Sequence, residues 1–214
     1  MILEKVLNEE IINKTYQIDS KITKLSKGVF AFCSELEEIA IPDHIIEIPD
    51  EAFMYCFNLK KIDLNNVKKI GNYAFAGCTN LSEIKGLENV VDFGIYCFAG
   101  CASLEKAILS DQLTRLREGM FESCLKLEKI KFLKVKEIES LVFSGCASLK
   151  EIVVSDEIEK IIGDAFLATD GLNLVYQKQI IDNFDDIDSI VRKNGKLDVI
   201  NEQVKKKILE KKLN

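Results

Sequence analysis

The sequence predicts an α/β repeat solenoid, in which about seven short repeats stack into a coil lined by a parallel β-ladder. One observation is a phenylalanine that recurs every 22 or 23 residues, at Phe30, Phe53, Phe75, Phe98, Phe121, Phe143 and Phe166. A second is that several other apolar columns keep the same period. A single repeat of this length cannot bury its apolar face alone, so it must stack on its neighbours.

Every repeat carries the same apolar columns around its phenylalanine. Three residues after it stand Cys33, Cys56, Cys78, Cys101, Cys124 and Cys146, with Thr169 in the last copy. Six residues after it stand Leu36, Leu59, Leu81, Leu104, Leu127, Leu149 and Leu172. Nine residues after it stand Ile39, Ile62, Ile84, Ala107, Ile130, Ile152 and Val175. These columns predict buried ladders along the axis of the coil.

The local pattern predicts two short extended segments and one turn in each repeat. The stretch Leu59–Leu64 alternates apolar and polar residues at its end, which predicts a strand with one buried face. A second alternating stretch, such as Val67–Ile70, precedes each phenylalanine and predicts another short strand. After the second segment, the stretch 71–78 is rich in glycine, alanine and small polar residues, and it predicts a single helical or 3₁₀ turn.

This pattern resembles the BspA-like leucine-rich repeat family, whose copies read I-G-x-x-A-F-x-G-C-x-x-L-x-x-I-x-L-P. The matching copies are clearest at Ile70–Cys78 and Ile162–Phe166, Phe143–Leu149 is another, and the resemblance covers about residues 20–176. It implies a right-handed solenoid whose strand-lined face is used mainly for protein recognition. The proline that follows the strand in the family survives here only as Pro42.

The two ends of the chain depart from the repeat and predict helical caps. Apolar residues stand at helical spacing in residues 1–20, and again in residues 177–193 and 197–213. We therefore expect an N-terminal cap over 1–20, a solenoid over 21–176 and a C-terminal cap over 177–214. The last helix also carries a basic block, Lys205–Lys207, so docking to a partner or a membrane surface is the alternative to capping.

The sequence shows no arrangement of residues that favours an enzyme, a cofactor or a metal site. His44 is the only histidine, and we expect it to be a solvated residue of the turn that follows Pro42. A zinc-protease motif needs two histidines, and a catalytic triad needs a histidine placed between a nucleophile and an acidic residue. The cysteines lie in a repeat column without a C-x-x-C pair, so we expect free, buried thiols rather than disulfides or zinc ligands.

Composition favours a protein partner. The net charge is −6 and no basic stripe runs along the repeats, which argues against direct binding of nucleic acid. No apolar run is long enough to span a membrane, and Met1–Glu10 lacks a secretory pattern, so we expect a cytoplasmic monomer. The expected function is a scaffold, or an inhibitor that blocks a basic protein such as a nucleic-acid-handling enzyme. The alternative is a fragment of a cell-surface adhesin of the BspA-like type.

Two columns of the predicted strand are expected to face outward. Eight residues after each of the first six phenylalanines, the column Glu38, Lys61, Glu83, Lys106, Lys129 and Glu151 mixes charges, as expected of a solvated ladder. Two residues further on, the column becomes apolar toward its C-terminal half. We take its members Ile108, Lys131, Val153 and Tyr176 as candidate partner-binding residues, unless the C-terminal helices cover them.

Overall fold

The chain winds into a β-solenoid in which each repeat supplies one strand to each of two rows of parallel strands, which we call ladders. Among the residues that the structure describes, hydrogen bonding divides each ladder into three sheets. The structure is a computed structural model that describes residues 1–132, 134–154, 158–162, 164–169, 172–176, 179–181, 190–193 and 196–199. These residues contain strands and two 3₁₀ turns, and they contain no α-helix. None of them forms a helix of the length and apolarity that crossing a membrane would require.

The strands of the two ladders alternate along the chain. The first ladder comprises Glu38–Ala40, Lys61–Asp63, Glu83–Lys85, Lys106–Ile108, Lys129–Lys131, Glu151–Val154 and Asn173–Tyr176. The second ladder comprises Lys24–Leu25, Glu47–Ile48, Lys69–Ile70, Asp92–Phe93, Arg115–Leu116, Glu137–Ile138 and Lys160–Ile161. The remaining elements are strands Ile2–Leu3, Gln179–Ile181, Ile190–Lys193 and Lys196–Val199, and 3₁₀ turns Asn8–Glu10 and Leu87–Asn89.

The apolar columns form one continuous core, as the sequence predicted. All seven repeat phenylalanines are at most 1% exposed, and the seven leucines are fully buried. Successive phenylalanine rings stack with centroids 4.9 to 6.0 Å apart and planes within 15° of parallel. Each repeat therefore packs its ring on the next one, which is how stacked repeats share a core that none could form alone.

The cysteine column is also packed into this core. All seven cysteines are free and buried. From Cys56 onward, each cysteine of the column donates its S–H to the phenylalanine carbonyl of the preceding repeat, as Cys56 does to Phe30 at 2.9 Å. Cys33, in the first repeat, donates instead to the Val6 carbonyl. Each of these phenylalanine carbonyls also accepts a backbone N–H within its own repeat, as Phe30 does from Cys33, so the thiol is a second donor to it. The thiol thus combines the volume of a small apolar side chain with a hydrogen bond between neighbouring repeats.

A third row of backbone contacts runs through the turn that holds each phenylalanine. The Phe30 N–H donates to the Ala52 carbonyl, Phe53 to Ala74, and so on through Phe143 to Ala165. We call the five residues centred on each phenylalanine the outer turn. In the first six repeats its first and last residues both have positive φ, as in Gly28 (63°) and Phe32 (66°). That conformation is easy for glycine and costly for other residues.

The predicted N-terminal helix is wrong. Residues 1–20 start with strand Ile2–Leu3, which pairs in parallel with Lys24–Leu25 and so extends the second ladder. Val6 is 1% exposed in the core, and Tyr16 packs edge-on against Phe30 at 5.3 Å. The open edge of the first repeat offers unpaired backbone groups, and pairing them with a strand outweighs the local helical spacing.

The predicted C-terminal helices are wrong wherever the structure describes that region. Strand Gln179–Ile181 pairs antiparallel with the last strand of the first ladder. Ile190–Lys193 pairs antiparallel with Lys160–Ile161, and Lys196–Val199 pairs with Ile190–Lys193. Strands thus cover the open edge that the last repeat would otherwise expose. Residues 200–214, including the basic block Lys205–Lys207, lie outside the described residues.

Candidate interaction face

The first ladder presents a row of outward-pointing side chains on a regular backbone frame. In strand Glu38–Ala40, the first and last residues are exposed, whereas the central Ile39 is only 6% exposed. Alternation along the strand thus separates the core from the surface. The parallel register then aligns outward residues between repeats, with Glu38 opposite Lys61 and Lys61 opposite Glu83. We call this surface the first-ladder face.

The ion pairs on the first-ladder face are long and solvent-exposed. Lys61 Nζ lies 3.7 Å from Glu38 and 3.9 Å from Glu83, and Lys85 Nζ lies 3.6 Å from Glu83. Their side chains are between 44% and 65% exposed. Exposed pairs of this kind contribute little to stability, so these charges remain available to a partner.

The second ladder is more tightly paired. Lys69 Nζ lies 3.0 Å from Glu47, and Arg115 Nη2 lies 2.8 Å from Glu137. Glu137 also receives Lys160 at 3.6 Å from the next repeat. Each of these cations faces a carboxylate on the neighbouring strand. The second ladder therefore neutralises much of its own charge, and it offers a partner less than the first-ladder face does.

An open groove of about 350 Å³ lies at the N-terminal end of the first-ladder face. Thr15 forms an isolated bridge with Glu38 and, together with Tyr16, lines the groove at this end. Ala40 stands in a column whose next members are Asp63 and Lys85, so its small side chain leaves space beside Tyr16. The other lining residues are Glu38, Ile39, Lys61, Ile62 and Glu83.

The chemistry of the groove combines an aromatic wall with carboxylates. Partial burial raises the pKa of the Tyr16 phenol, and the nearby Glu10 and Asp19 carboxylates raise it further. Tyr16 is therefore a neutral ring with a hydroxyl group at physiological pH. Beside it lie Glu38 and Asp63, and a cation can bind between such a ring and such carboxylates. The sequence held a signal for this groove, since Ala40 is the one small residue in its column.

The structure places the four candidate partner-binding residues on four successive strands of the first ladder. Ile108 is 58% exposed and lies opposite Lys131. Val153 lies opposite Val175, and Tyr176 lies opposite Val154, so Val153 and Tyr176 are one residue out of the register that the sequence spacing predicted. The side chains of Lys131, Val153 and Tyr176 lie outside the described part of the structure.

The predicted core position in the last repeat shifts with the same register. Ile152 is buried and lies opposite Leu174, whereas the column in the sequence matched it with Val175. The last repeat is thus aligned one residue earlier than its phenylalanine spacing indicates.

The described residues show no catalytic arrangement. His44 is exposed in its turn, as predicted, and its Nε2 lies 2.6 Å from the Ile22 carbonyl oxygen. Within the same described set, no three His, Cys, Asp or Glu side chains come together in a way that could hold a metal ion.

Comparisons with known proteins agree with this architecture. The sequence model of the BspA type leucine-rich repeat region matches residues 4–66 and 46–173, with six copies. A leucine-rich cell surface protein from Faecalibacterium prausnitzii has a similar structure, with a TM-score of 0.71 and 26% identity. The match covers 89% of this chain and 53% of that protein, so the chain spans about half its length.

A leucine-rich repeat protein from T. pallidum is also similar, with a TM-score of 0.59 and 25% identity. That match covers 65% of this chain and 68% of the other. No curated protein sequence matches the chain. The repeated turn, the phenylalanine stack and the matched copies lead to one conclusion: the chain belongs to the BspA type leucine-rich repeat family.

Proposed function

We propose that the chain is a protein-interaction module that binds its partner through the first-ladder face. The observation that carries this proposal is the groove beside Tyr16, whose surrounding ion pairs are long and exposed. A regular strand frame holds these side chains in fixed positions, which lowers the entropy cost of binding. The repeat family is compatible with such a role.

The partner that we propose is a basic protein, and the role is that of a scaffold or an inhibitor. A lysine or arginine side chain of the partner would lie between the Tyr16 ring and the carboxylates of Glu38 and Asp63. The net charge of −6 would attract such a partner from a distance. Ile108 adds an exposed apolar contact further along the same face.

The test compares one charge reversal on each ladder. Asp63→Lys reverses a carboxylate in the groove, and Asp92→Lys makes the same change on the second ladder. The unchanged chain and each variant are immobilised on a resin and incubated with host cell extract at low and at high salt. The bound proteins are then identified by mass spectrometry. We expect a salt-sensitive basic partner to be retained by the unchanged chain and by Asp92→Lys, and lost from Asp63→Lys. Equal retention by all three would contradict binding at the groove.

The apolar patch that the sequence singled out has a separate test. Ile108→Asp places a charge on the exposed side chain and leaves the groove unchanged. Weaker binding of the recovered partner by calorimetry would extend the interface to this repeat. Unchanged affinity would remove Ile108 from the proposed interface.

The monomeric state and the three-part division into 1–20, 21–176 and 177–214 stay predictions. Light scattering over a range of concentrations tests the first. Limited proteolysis tests the second, since cleavage should concentrate near the proposed boundaries.

A role at the cell surface is the second candidate. It is favoured by the similar Faecalibacterium prausnitzii structure, which is described as a leucine-rich cell surface protein. Protease treatment of intact host cells separates the two locations. Digestion of this protein in intact cells would support a surface role, and protection until lysis would support the cytoplasmic interaction module.

A further inference from the structure

The outer turns of the first repeats carry aromatic residues where later repeats carry glycine. The last residue of the outer turn is Phe32 and Tyr55 in the first two repeats, and Gly77 and Gly100 in the next two. Phe32 and Tyr55 have φ of 66° and 58°, a conformation that bulky residues rarely adopt. Such backbone strain persists where something else favours the side chain, and it concentrates at functional sites.

Burial does not explain the choice of these aromatic residues. Phe32 is 56% exposed, Tyr55 is 41% exposed, and the neighbouring Phe57 is 47% exposed. We call these three residues the aromatic platform. Their ring centroids lie 5.4 and 5.7 Å apart, and the rings are tilted by 36° and 34°. In the core, the phenylalanine rings stack nearly parallel and cover one another, whereas the tilted platform rings leave part of their faces open to solvent.

A row of uncharged hydrogen-bonding groups runs beside the platform. Asn58 Nδ2 donates to the Ser34 carbonyl at 2.9 Å, and Asn80 Nδ2 donates to Asn58 Oδ1 at 3.4 Å. The Thr79 hydroxyl donates to the Phe57 carbonyl at 3.4 Å. Asn58, Thr79 and Asn80 are all exposed, so each can also bind a ligand group. The row advances one step per repeat, at about the 4.8 Å spacing of paired strands.

Several charges near the platform already have partners within the protein. Lys27 binds Glu51 at 2.8 Å, and Glu37 binds both Lys14 and Lys60 at 2.6 and 2.7 Å. The Lys5 ammonium donates to the carbonyls of Gly28 and Ala31. Glu35 is also exposed, and it is next in sequence to Ser34, whose carbonyl accepts from Asn58. The platform is therefore suited to an uncharged ligand rather than to an anion or a cation.

We propose that the aromatic platform and its amide row form a binding site for a neutral polysaccharide. A sugar ring has an apolar C–H face that packs on an aromatic ring and a rim of hydroxyls that hydrogen-bond to amides. A polysaccharide also repeats this unit along its length, which matches rings and amides repeated along the coil. This site lies on the first two outer turns and on the residues that follow the second and third outer turns. None of its residues lines the groove on the first-ladder face.

The test uses a substitution that the fold itself supplies. Tyr55→Gly puts at this position the residue that Gly77 and Gly100 place at the same point of their repeats. It removes the ring and relieves the left-handed strain, so the chain should still fold. Ser123→Gly is the matched control, since Ser123 has φ of 57° in the same column and carries no ring.

The measurement is affinity gel electrophoresis in hydroxyethylcellulose, xylan or galactomannan, with dissociation constants from calorimetry on hexasaccharides. We expect at least one of these polysaccharides to retard the unchanged chain and Ser123→Gly equally. Tyr55→Gly should bind about tenfold more weakly or worse, as for the loss of a central aromatic contact. Urea unfolding confirms that each variant is folded, and Phe57→Ser provides a second variant at a position where the first repeat has Ser34.

Three outcomes would overturn the proposal. One is that no neutral polysaccharide retards the unchanged chain. Another is that Tyr55→Gly and Phe57→Ser, both folded, bind as well as the control. The third is that a decaproline peptide, rather than any polysaccharide, binds at the platform and is lost with Tyr55, which would make the site a peptide-binding one.

Discussion

Gly94 lies where the backbones of two successive repeats approach closely. A methyl group at this position would overlap the backbone of Gly71 and Asn72 in the preceding repeat. Gly94→Ala must therefore push two turns of the coil apart, and we expect it to lower the free energy of unfolding by about 3 kcal/mol. Urea denaturation followed by circular dichroism measures the change.

Gly100→Ala, in the same repeat, separates this clash from backbone strain. Gly100 has φ of 72°, but the nearest atoms to an added methyl lie 3.6 Å away in Gly77. Gly100→Ala is therefore destabilised only by the left-handed backbone conformation, which should lower the free energy of unfolding by about 1 kcal/mol. If Gly94→Ala were no more destabilising than Gly100→Ala, the proposed close approach of the two repeats would be wrong.

The buried cysteines should make the fold sensitive to alkali. Burial raises the pKa of Cys56 and Cys146 from the ordinary 9.0 to about 12. The unfolded chain loses these protons near pH 9, whereas the folded chain keeps them, so their contribution to stability is complete below pH 9 and is lost as the pH rises toward 12. Urea unfolding at several pH values measures this decline.

Cys56→Ala is the variant that isolates the thiol contribution. It should cost stability at pH 7, because it removes packed volume and the hydrogen bond to Phe30. Above pH 9, its stability should fall less steeply than that of the unchanged chain. Parallel curves would show that Cys56 does not carry a raised pKa. A thiol reagent such as iodoacetamide should also label the cysteines only after unfolding.

At the scale of single elements, the charges of the second ladder offer a matched comparison. Glu137 is 22% exposed and binds Arg115 at 2.8 Å and Lys160 at 3.6 Å. Glu47 is 54% exposed, and Lys69 is its cationic partner, at 3.0 Å. We expect Glu137→Gln to lower stability by up to about 1 kcal/mol, and Glu47→Gln to lower it less.

Salt should reduce the difference between these two variants. Partly exposed ion pairs are screened as ionic strength rises, so the effect of Glu137→Gln should shrink between low salt and 1 M salt. Thermal unfolding at the two ionic strengths provides the measurement. A loss that is independent of salt would assign the role of Glu137 to packing rather than to charge.

The sequence predicted the repeated elements well because each column has one physical role in every copy. Leu36 and its six counterparts are fully buried, and strands such as Lys61–Asp63 lie where alternation placed them. Repetition averages out local ambiguity, since seven copies must share one structure. The same columns hold one signal for the groove beside Tyr16, the small residue Ala40, but they do not predict the wall formed by Thr15 and Tyr16, because that wall depends on how the first repeat is closed.

The prediction of helical caps failed because the structure of the chain ends is set by contacts with the neighbouring repeats, which no local sequence pattern contains. Ile2 and Leu3 fit a helical spacing, yet they form a strand because the edge of Lys24–Leu25 is open to pairing. The last repeat shows a similar effect, since Val154 rather than Val153 lies opposite Tyr176. A shift of one residue in a strand cannot be read from phenylalanine spacing, but it changes which residues are neighbours.

At the scale of the whole molecule, the phenylalanine stack links all the repeats. Phe98 stacks between Phe75 and Phe121, whereas Phe166 stacks on Phe143 alone among the described rings. Phe98→Leu should therefore cost more than Phe166→Leu, with about 1.5 kcal/mol expected for the central change. Because each repeat depends on its neighbours, the central variant should also weaken the cooperativity of unfolding.

Urea unfolding tests this through the slope of the transition. A lower slope for Phe98→Leu, with a normal slope for Phe166→Leu, would show that the array separates at its centre. Equal losses of stability with equal slopes would mean that the stack does not transmit stability between repeats.

The paired left-handed positions of the outer turn have a consequence for how this coil can diversify. Five of the first six repeats place glycine at one of the two positions, and the second repeat fills both, with Glu51 and Tyr55. The backbone is therefore the same whichever side chain is present. A glycine at one of these positions can therefore be replaced by another residue without a change of backbone, and each replacement lowers the free energy of unfolding by about 1 kcal/mol. The number of such replacements that one coil can carry is then limited by its reserve of stability rather than by its shape.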